Sequence, residues 1–287
     1  MGRALSRRKF LRALSAGVGA VGAGAAYGYW AEPHWLEVHR VSVRLPRRVG
    51  EADARIRVVQ LSDLHVSRWI SVEFVAEAIA LALGQKPDLV VLTGDFFTGR
   101  LSAGEDYAAA LRRLSSAVPT FASLGNHDGG RWADYSFGLG TPEQALWLLR
   151  AANIPCLINQ ARALDVRGRR LQLIGLGDLW AGMCDPGPAF SEVRPLDPAP
   201  RILLSHNPDT KDVLRPFNWD LMLCGHTHGG QVRVPFVGAP FAPVEDKRYI
   251  EGLHRWENRW LYISRGVGNL HGVRLNCRPQ VSVIDLV

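Results

Sequence analysis

Oxygen and imidazole donors cluster in five short segments of this 287-residue chain: Asp63-Leu64-His65, Gly94-Asp95, Gly125-Asn126-His127-Asp128, Ser205-His206 and Gly225-His226-Thr227-His228. Five of the nine histidines fall in them. Alone, each segment has an ordinary explanation, since Gly-Asp makes turns and a single buried imidazole serves core hydrogen bonding. Together they supply carboxylates, an amide oxygen and imidazoles but no thiolate, a donor set that suits Mn²⁺, Fe²⁺ or Fe³⁺, Zn²⁺ or Co²⁺. There are donors enough for two such ions. Against two divalent ions, the charges of Asp63 and Asp95 leave a net positive site, which attracts a phosphoryl group and suits in-line attack on it by activated water.

Each segment follows an apolar run of strand length. Arg55 to Leu61, with β-branched Ile56, Val58 and Val59, leads into Asp63 and His65, and Asp88 to Leu92 leads into Gly94-Asp95. Thr120 to Leu124 ends at Gly125, Arg201 to Leu204 precedes His206, and Asp220 to Cys224 precedes Gly225. An open α/β sheet gathers its loops at strand ends, so donors far apart in sequence converge there. Between the runs, Val72 to Leu83, Glu105 to Ser115 and Pro142 to Ala152 carry apolar residues at helical spacing. The last is expected to take Thr141 as N-cap and Pro142 as its first helical residue. Ala161 to Val166 and Leu171 to Leu176 flank Arg167-Gly168-Arg169-Arg170 as a hairpin, and Trp260 to Ser264 and Gln280 to Leu286 read as closing strands. Trp35 to Leu45 is a candidate edge strand.

With D-x-H, G-D, G-N-H-D, a lone His and G-H-x-H in this order, the chain resembles the calcineurin-like metallophosphoesterase superfamily over residues 55 to 287. The resemblance implies an α/β fold of two packed mixed β-sheets flanked by helices, a four-layer metallophosphoesterase sandwich, and two divalent metal ions. It implies that Asp63, His65, Asp95 and His228 hold one ion and that Asp95, Asn126, His206 and His226 hold the other, with Asp95 as bridge. His127 is assigned by similarity to the leaving-group oxygen, as proton donor or charge stabiliser, and Asp128 to orienting it and tuning its acidity. The implied activity is phosphodiester hydrolysis. Purple acid phosphatases, which resemble this superfamily, place a Tyr where this chain has Thr98, so no tyrosinate–iron colour is expected.

Ser6-Arg7-Arg8-Lys9-Phe10-Leu11 is similar to the twin-arginine export motif and precedes an uncharged, Ala- and Gly-rich stretch from Ala13 to Ala31. The motif implies the twin-arginine export machinery as a partner, and a location in the periplasm or at the outer face of the cytoplasmic membrane. Ala23-Gly24-Ala25 offers an A-x-A-like cleavage site, whereas Tyr27, Tyr29, Trp30 and Trp35 read as the interfacial belt of a retained anchor. Composition divides the chain into residues 1–46, leader or anchor with linker, and 47–287, the catalytic domain. Residues 1–25 hold Arg3, Arg7, Arg8, Lys9 and Arg12 and no acid, so without them the net charge falls from +7 to +2. A near-neutral body argues against nucleic acid as a partner and against a nuclease. A non-catalytic metal-binding protein would be expected to lack His127 or a ligand, and none is missing.

Substrate choice falls to the loops. Gly129-Gly130-Arg131-Trp132-Ala133-Asp134-Tyr135 offers a cation and two aromatics, and Asp178 to Met183 and Val234 to Phe241 add apolar surface fit for an amphiphile. Ser264-Arg265-Gly266-Val267-Gly268 could bring Arg265 to a phosphate. The leader, the W-x-E-P-x-W-like stretch at Trp30 to Trp35 and Asp178-x-Trp180 together resemble an exported phosphodiesterase branch of the superfamily. The expected substrate is an envelope, lipid-linked or nucleotide phosphodiester, with the membrane surface as a further partner. A neighbouring branch, the UDP-2,3-diacylglucosamine pyrophosphohydrolases, supplies the alternative of a lipid pyrophosphohydrolase. Cys156, Cys184, Cys224 and Cys277 form no C-x-x-C, and Cys224 is expected in the core.

Overall fold

Eleven strands form two sheets in the computed structural model, which describes residues 7–46, 55–99, 104–133, 138–194 and 197–287. Ser6 of the export motif, and Asp134 and Tyr135 of the aromatic loop, lie outside the described residues. The first sheet contains β1 (Glu37–Val43), β2 (Ile56–Leu61), β3 (Leu89–Thr93), β4 (Thr120–Ser123) and β11 (Gln280–Leu286), in the order β1-β11-β2-β3-β4. The second contains β5 (Gln160–Val166), β6 (Arg169–Gly175), β7 (Arg201–Leu204), β8 (Leu221–Cys224), β9 (Gly252–Trp256) and β10 (Arg259–Ile263), in the order β5-β6-β7-β8-β10-β9. Within them β2, β3 and β4 run parallel, as do β6, β7, β8 and β10.

Strand alternation builds the layers. Val59, Leu61, Val90 and Leu92 face α2 (Val72–Gly84), α3 (Gly104–Ala117) and α4 (Glu143–Ala151). Their neighbours Val58, Leu89 and Val91 point the other way and meet Leu173, Ile202, Leu204, Leu221 and Leu223 of the second sheet. The outer face of that sheet, with Ile174, Leu203, Met222 and Leu261, packs against Ala189 of α5 (Pro186–Ser191) and Leu214, which follows α6 (Thr210–Val213). Helices, sheet, sheet and helices form the expected four layers, because each buried strand is apolar on both faces.

Several local expectations shift. In the β5–β6 hairpin Val166 pairs with Arg169, so Arg167 (φ 55°) and Gly168 (φ 75°) alone make the turn and Arg169 and Arg170 begin β6. Two left-handed residues match the strands' twist in a two-residue turn. Helix α4 starts at Glu143 with Pro142, not Thr141, as its cap residue, and the Thr141 hydroxyl instead bonds the Glu143 side chain. Strand β9 and the short α5 and α6 had no periodicity long enough to see.

The body also begins upstream of residue 47. Strand β1 hydrogen-bonds parallel to β11 along its whole length, covering an edge that would otherwise be open. Before it, α1 (Arg7–Ala26) leads into a π-helical turn, Tyr27–Ala31, and a 3₁₀ turn, Glu32–His34. Among the described residues no helix is long and apolar enough to cross a membrane.

Candidate metal centre

All five donor segments leave the carboxyl ends of parallel strands, β2, β3 and β4 in one sheet and β7 and β8 in the other, so the two sheets pour their loops onto one edge of the sandwich. The turns are tight. Asp63 (φ 52°), His65 (φ 45°), Asp95 (φ 59°), His226 (φ 72°) and His228 (φ 51°) all adopt the left-handed conformation. For a residue with a side chain this costs about 1–2 kcal/mol each, an outlay that clusters where function needs it. Glycines make the approach possible: a Cβ on Gly125 would lie 2.2 Å from Asp95 Oδ1, and one on Gly225 would lie 1.9 Å from Ser62 Oγ and 2.3 Å from Asp63 Oδ2.

Donor atoms then face one another. His206 donates Nδ1–H to the Thr93 carbonyl at 2.6 Å, which places its Nε2 3.0 Å from Asp95 Oδ2. His65 Nδ1 bonds Thr98 Oγ1 at 2.7 Å, leaving Nε2 3.1 Å from His228 Nε2 and 3.4 Å from Asp95 Oδ2. His228 Nε2 stands 3.4 Å from Asp63 Oδ1, and His226 Nδ1 stands 2.8 Å from Asn126 Oδ1. Asp63 Oδ2 and His206 Nε2 are buried without a well-aimed hydrogen-bond partner. Carboxylate, amide and imidazole atoms crowded this closely in a buried site need positive charge between them, and the N and O donors fit a divalent metal. Among the described residues three groups lie close enough to share an ion: Asp63, His65 and His228; His65, Asp95 and His127; and Asp63, Asp95 and His206. The first holds three of the four residues expected around one ion, without Asp95. The third joins Asp63 to His206 across the expected division, with Nε2 and Oδ1 3.9 Å apart.

Electrostatics follow the same crowding. Burial pushes the Asp63 carboxyl up to about 6 and holds the His65 and His226 imidazoles down to about 3. Against burial, Asp95 and then Asp63 hold the His206 imidazolium well above the usual range, and the facing imidazoles hold Asp95 well below its own.

Asp128 does not pair with His127. Its Oδ2 accepts from the main-chain N–H of Asp95 at 2.7 Å and of Gly125 at 2.8 Å, and its Oδ1 accepts from Phe96 N–H at 2.7 Å. The carboxylate thus ties the second donor loop to the third, which corrects its expected role of orienting His127. Nor is His127 oriented by another acid: its Nδ1 is buried and unpartnered, and its ring sits between those of His65 and Trp132, each centred 4.9 Å away. Its main-chain N–H donates to Asp95 Oδ1 at 2.9 Å.

A cleft of about 220 Å³ opens on the donors. Trp132, Trp180, Phe241, Leu270 and His271 line it, so all three apolar loops anticipated from sequence contribute or adjoin it. Trp132 and Trp180 pack at 5.5 Å, and Trp180 meets the edge of His226 at 4.4 Å. Among the described lining residues none is Lys or Arg. Arg131 is exposed outside the cleft. Arg265, a candidate phosphate ligand, is turned away: it pairs with Glu37, donates to Gln280 Oε1 at 2.7 Å and lies 3.7 Å from Glu251. The glycines beside it have the closer role, since a Cβ on Gly266 would come 2.6 Å from Asp63 Cβ and one on Gly268 2.3 Å from the Leu64 carbonyl.

Sequence reasoning missed Thr98 as the partner of His65, the fully buried Arg274, 3.5 Å from His228 Nδ1, and the buried Asp178, which accepts from Ala181 N–H at 2.9 Å and holds the Trp180 turn. Only Asp178 had a local signal, an acid opening an apolar loop. All four cysteines are free, and Cys224 is buried in the core.

Known proteins are similar to most or all of the chain. The chain is 44% identical over 286 residues to Phosphodiesterase YaeI of Escherichia coli (strain K12), covering 99% of this chain and all of that one. It is 30% identical to metallophosphoesterase YkuE of Bacillus subtilis (strain 168), covering 98% of each. It is 28% identical to the UDP-2,3-diacylglucosamine pyrophosphatase LpxG of Chlamydia muridarum, covering 89% of this chain and 91% of the other. Residues 56–230, which hold every donor segment, match the Calcineurin-like phosphoesterase family, and to that family the chain belongs.

Proposed function

We propose that the protein is an exported phosphodiesterase that uses two divalent metal ions to hydrolyse an amphiphilic phosphodiester, whether of the envelope, lipid-linked or nucleotide. The observation that carries the diester preference is the cleft itself: aromatic on its walls and, among the described residues, without a Lys or Arg to clamp a dianion. A phosphate monoester brings two charges and one substituent, whereas a diester brings one charge and an extra group for Trp132, Trp180 and Phe241 to cover. The 44% identity to a phosphodiesterase supports the same choice.

Asp63, His65, Asp95 and His228 would hold one ion and Asp95, Asn126, His206 and His226 the other. The ions, when bound, supply charge neutralisation at the phosphoryl oxygens and an acidified water. Around them the chain's own groups position and exclude. Thr93 and Thr98 fix the rings of His206 and His65, the Asp128 carboxylate fixes the Asp95 loop, and the tryptophans keep bulk water from the leaving group. His127 lines the cleft, burial lowers its imidazole below the usual range, and it would donate to charge growing on the leaving oxygen.

The export reading rests on the Arg7-Arg8 pair that opens α1, with the periplasm or the outer face of the cytoplasmic membrane as destination. Exposed aromatics frame the cleft and suit a lipid surface. Tyr29 packs on Trp30 at 5.6 Å and on Trp69 at 6.2 Å, and Trp69 abuts Gly272, next to His271 of the cleft. The similarity to LpxG favours a second reading, a UDP-2,3-diacylglucosamine-type lipid pyrophosphohydrolase.

The test is hydrolysis of bis-(p-nitrophenyl) phosphate against p-nitrophenyl phosphate by protein reconstituted with Mn²⁺, Fe²⁺, Co²⁺ or Zn²⁺. Diester preference, lost in His206→Ala, is expected. Monoester preference would overturn the proposal, and cleavage of UDP-diacylglucosamine alone would favour the second reading.

A further inference from the structure

Trp30-Ala31-Glu32-Pro33-His34-Trp35 lies outside the donor segments and upstream of the family match. Yet Glu32 is only 1% exposed. Its carboxylate accepts from two consecutive main-chain N–H groups far along the chain, Oε2 from Asn276 at 2.9 Å and Oε1 from Cys277. Beside it the Gly28 carbonyl accepts from Arg274 N–H at 2.9 Å, and a Cβ on Gly28 would stand 3.0 Å from the Arg274 carbonyl. The segment is strapped along residues 274–277.

That loop supports one end of the metal centre. Cys277 Sγ donates to the His228 carbonyl at 3.0 Å, and Arg274 Nη2 lies 3.5 Å from His228 Nδ1. The same Arg274 nitrogen donates to the carbonyls of Arg265 at 2.7 Å and Gly268 at 2.5 Å, pinning the glycine turn that presses on Asp63 and Leu64. From Glu32, contacts therefore run to His228 along one route and to Asp63 along another. Asp63 and His228 belong to the same donor group. A buried carboxylate is tolerated only with its hydrogen bonds met, and here the loop amides meet them.

We propose that Glu32 is a positioning residue for the Asp63–His65–His228 group, so that Gly28 to Trp35 is a retained part of the enzyme and not of a removable leader. The inference rests on reading that group as a metal site. Cleavage near Ala23-Gly24-Ala25 leaves the strap whole, whereas cleavage beyond Trp35 removes it. Groups that orient metal ligands from behind typically change metal affinity 10- to 100-fold when lost.

The experiment compares full-length wild type with Glu32→Gln, Glu32→Ala and, at the hairpin end of edge strand β5, Val166→Ala as a control for stability alone. Zn²⁺ binding is read by competition with a chromogenic chelator, and amide exchange is followed at Asn276 and Cys277. Glu32→Gln keeps the size and one acceptor, so it carries the test if Glu32→Ala does not fold. The expected result is two ions on wild type, one of them held about 10- to 100-fold more weakly by Glu32→Gln, with faster exchange at both amides. Val166→Ala is expected to bind both ions as wild type does. Wild-type affinity in Glu32→Gln, or an equal loss in Val166→Ala, overturns the proposal. Failure of wild type to bind metal would instead overturn the metal-site reading beneath it.

Discussion

Asp128 and His127 are neighbours in sequence with separate tasks. The three main-chain donors on Asp128 hold the loop that aims Asp95, and leaving such a buried donor unmet costs about 1–3 kcal/mol. Asp128→Asn turns one acceptor into a donor against these N–H groups. It is expected to lower stability by about 2–4 kcal/mol and to weaken metal binding, checked by urea unfolding and metal analysis of the purified variant. Undiminished metal binding would mean that Asp95 is aimed by something else. His127 makes the contrasting case, because its only hydrogen bond shown to the donor loops comes from its main chain. His127→Ala is therefore expected to keep its metals and to lose about 10²- to 10⁴-fold on diesters with poor leaving groups, far less on p-nitrophenolate esters. Equal losses on both would remove the leaving-group role.

Loops at the strand ends carry most of the strain, and strands and helices carry most of the stability, so substitutions in the two should separate. Gly225→Ala puts a Cβ 1.9 Å from Ser62 Oγ and 2.3 Å from Asp63 Oδ2. It is expected to displace Asp63 and cost metal affinity about 10-fold or more. Ser71→Ala removes the side-chain cap of α2, where Ser71 Oγ accepts from Phe74 N–H at 3.2 Å. That change is expected to cost about 1 kcal/mol in thermal stability and to leave phosphodiester hydrolysis unchanged. The same division decides what could be read in advance. Donor segments were legible because metals demand particular residue types and turns demand glycine. Buried parallel strands were legible because both faces are apolar. Glu32 and Arg274 were not, since their meaning lies in contacts as far as 245 residues away with no local period. Arg265 was misread for the same reason: nothing near it in sequence announces Glu37 or Glu251 as its partners.

At the scale of the whole molecule, the outer surface around the cleft departs from an ordinary soluble one. Phe236 is 109% exposed and Val237 67%, at the tip of a turn closed by Val234 N–H to the Gly238 carbonyl at 2.8 Å. Phe236 also holds a left-handed backbone, φ 66°, an unfavourable conformation for an aromatic residue that fills no core. The strip Gln231 to Arg233 hydrogen-bonds to Leu275, whose neighbour Arg274 bonds Gly28, so this tip and Trp30, 70% exposed, flank one stretch of main chain. Phe241, further along the same loop, lines the cleft. On the proposed reading such a rim would insert among lipid headgroups, and the cleft would take its diester from the same layer. Burying a Phe contributes about 1.5–3 kcal/mol, so Phe236→Ser with Val237→Ser is expected to weaken vesicle partition about 10- to 100-fold or more. Neither residue lines the cleft, and hydrolysis of soluble bis-(p-nitrophenyl) phosphate is expected to stay at the wild-type rate. Sedimentation with phosphatidylglycerol–phosphatidylethanolamine vesicles measures the first and a colorimetric assay the second. If partition is unchanged, the aromatic tip does not meet a bilayer, and an amphiphilic substrate would have to reach the cleft from solution.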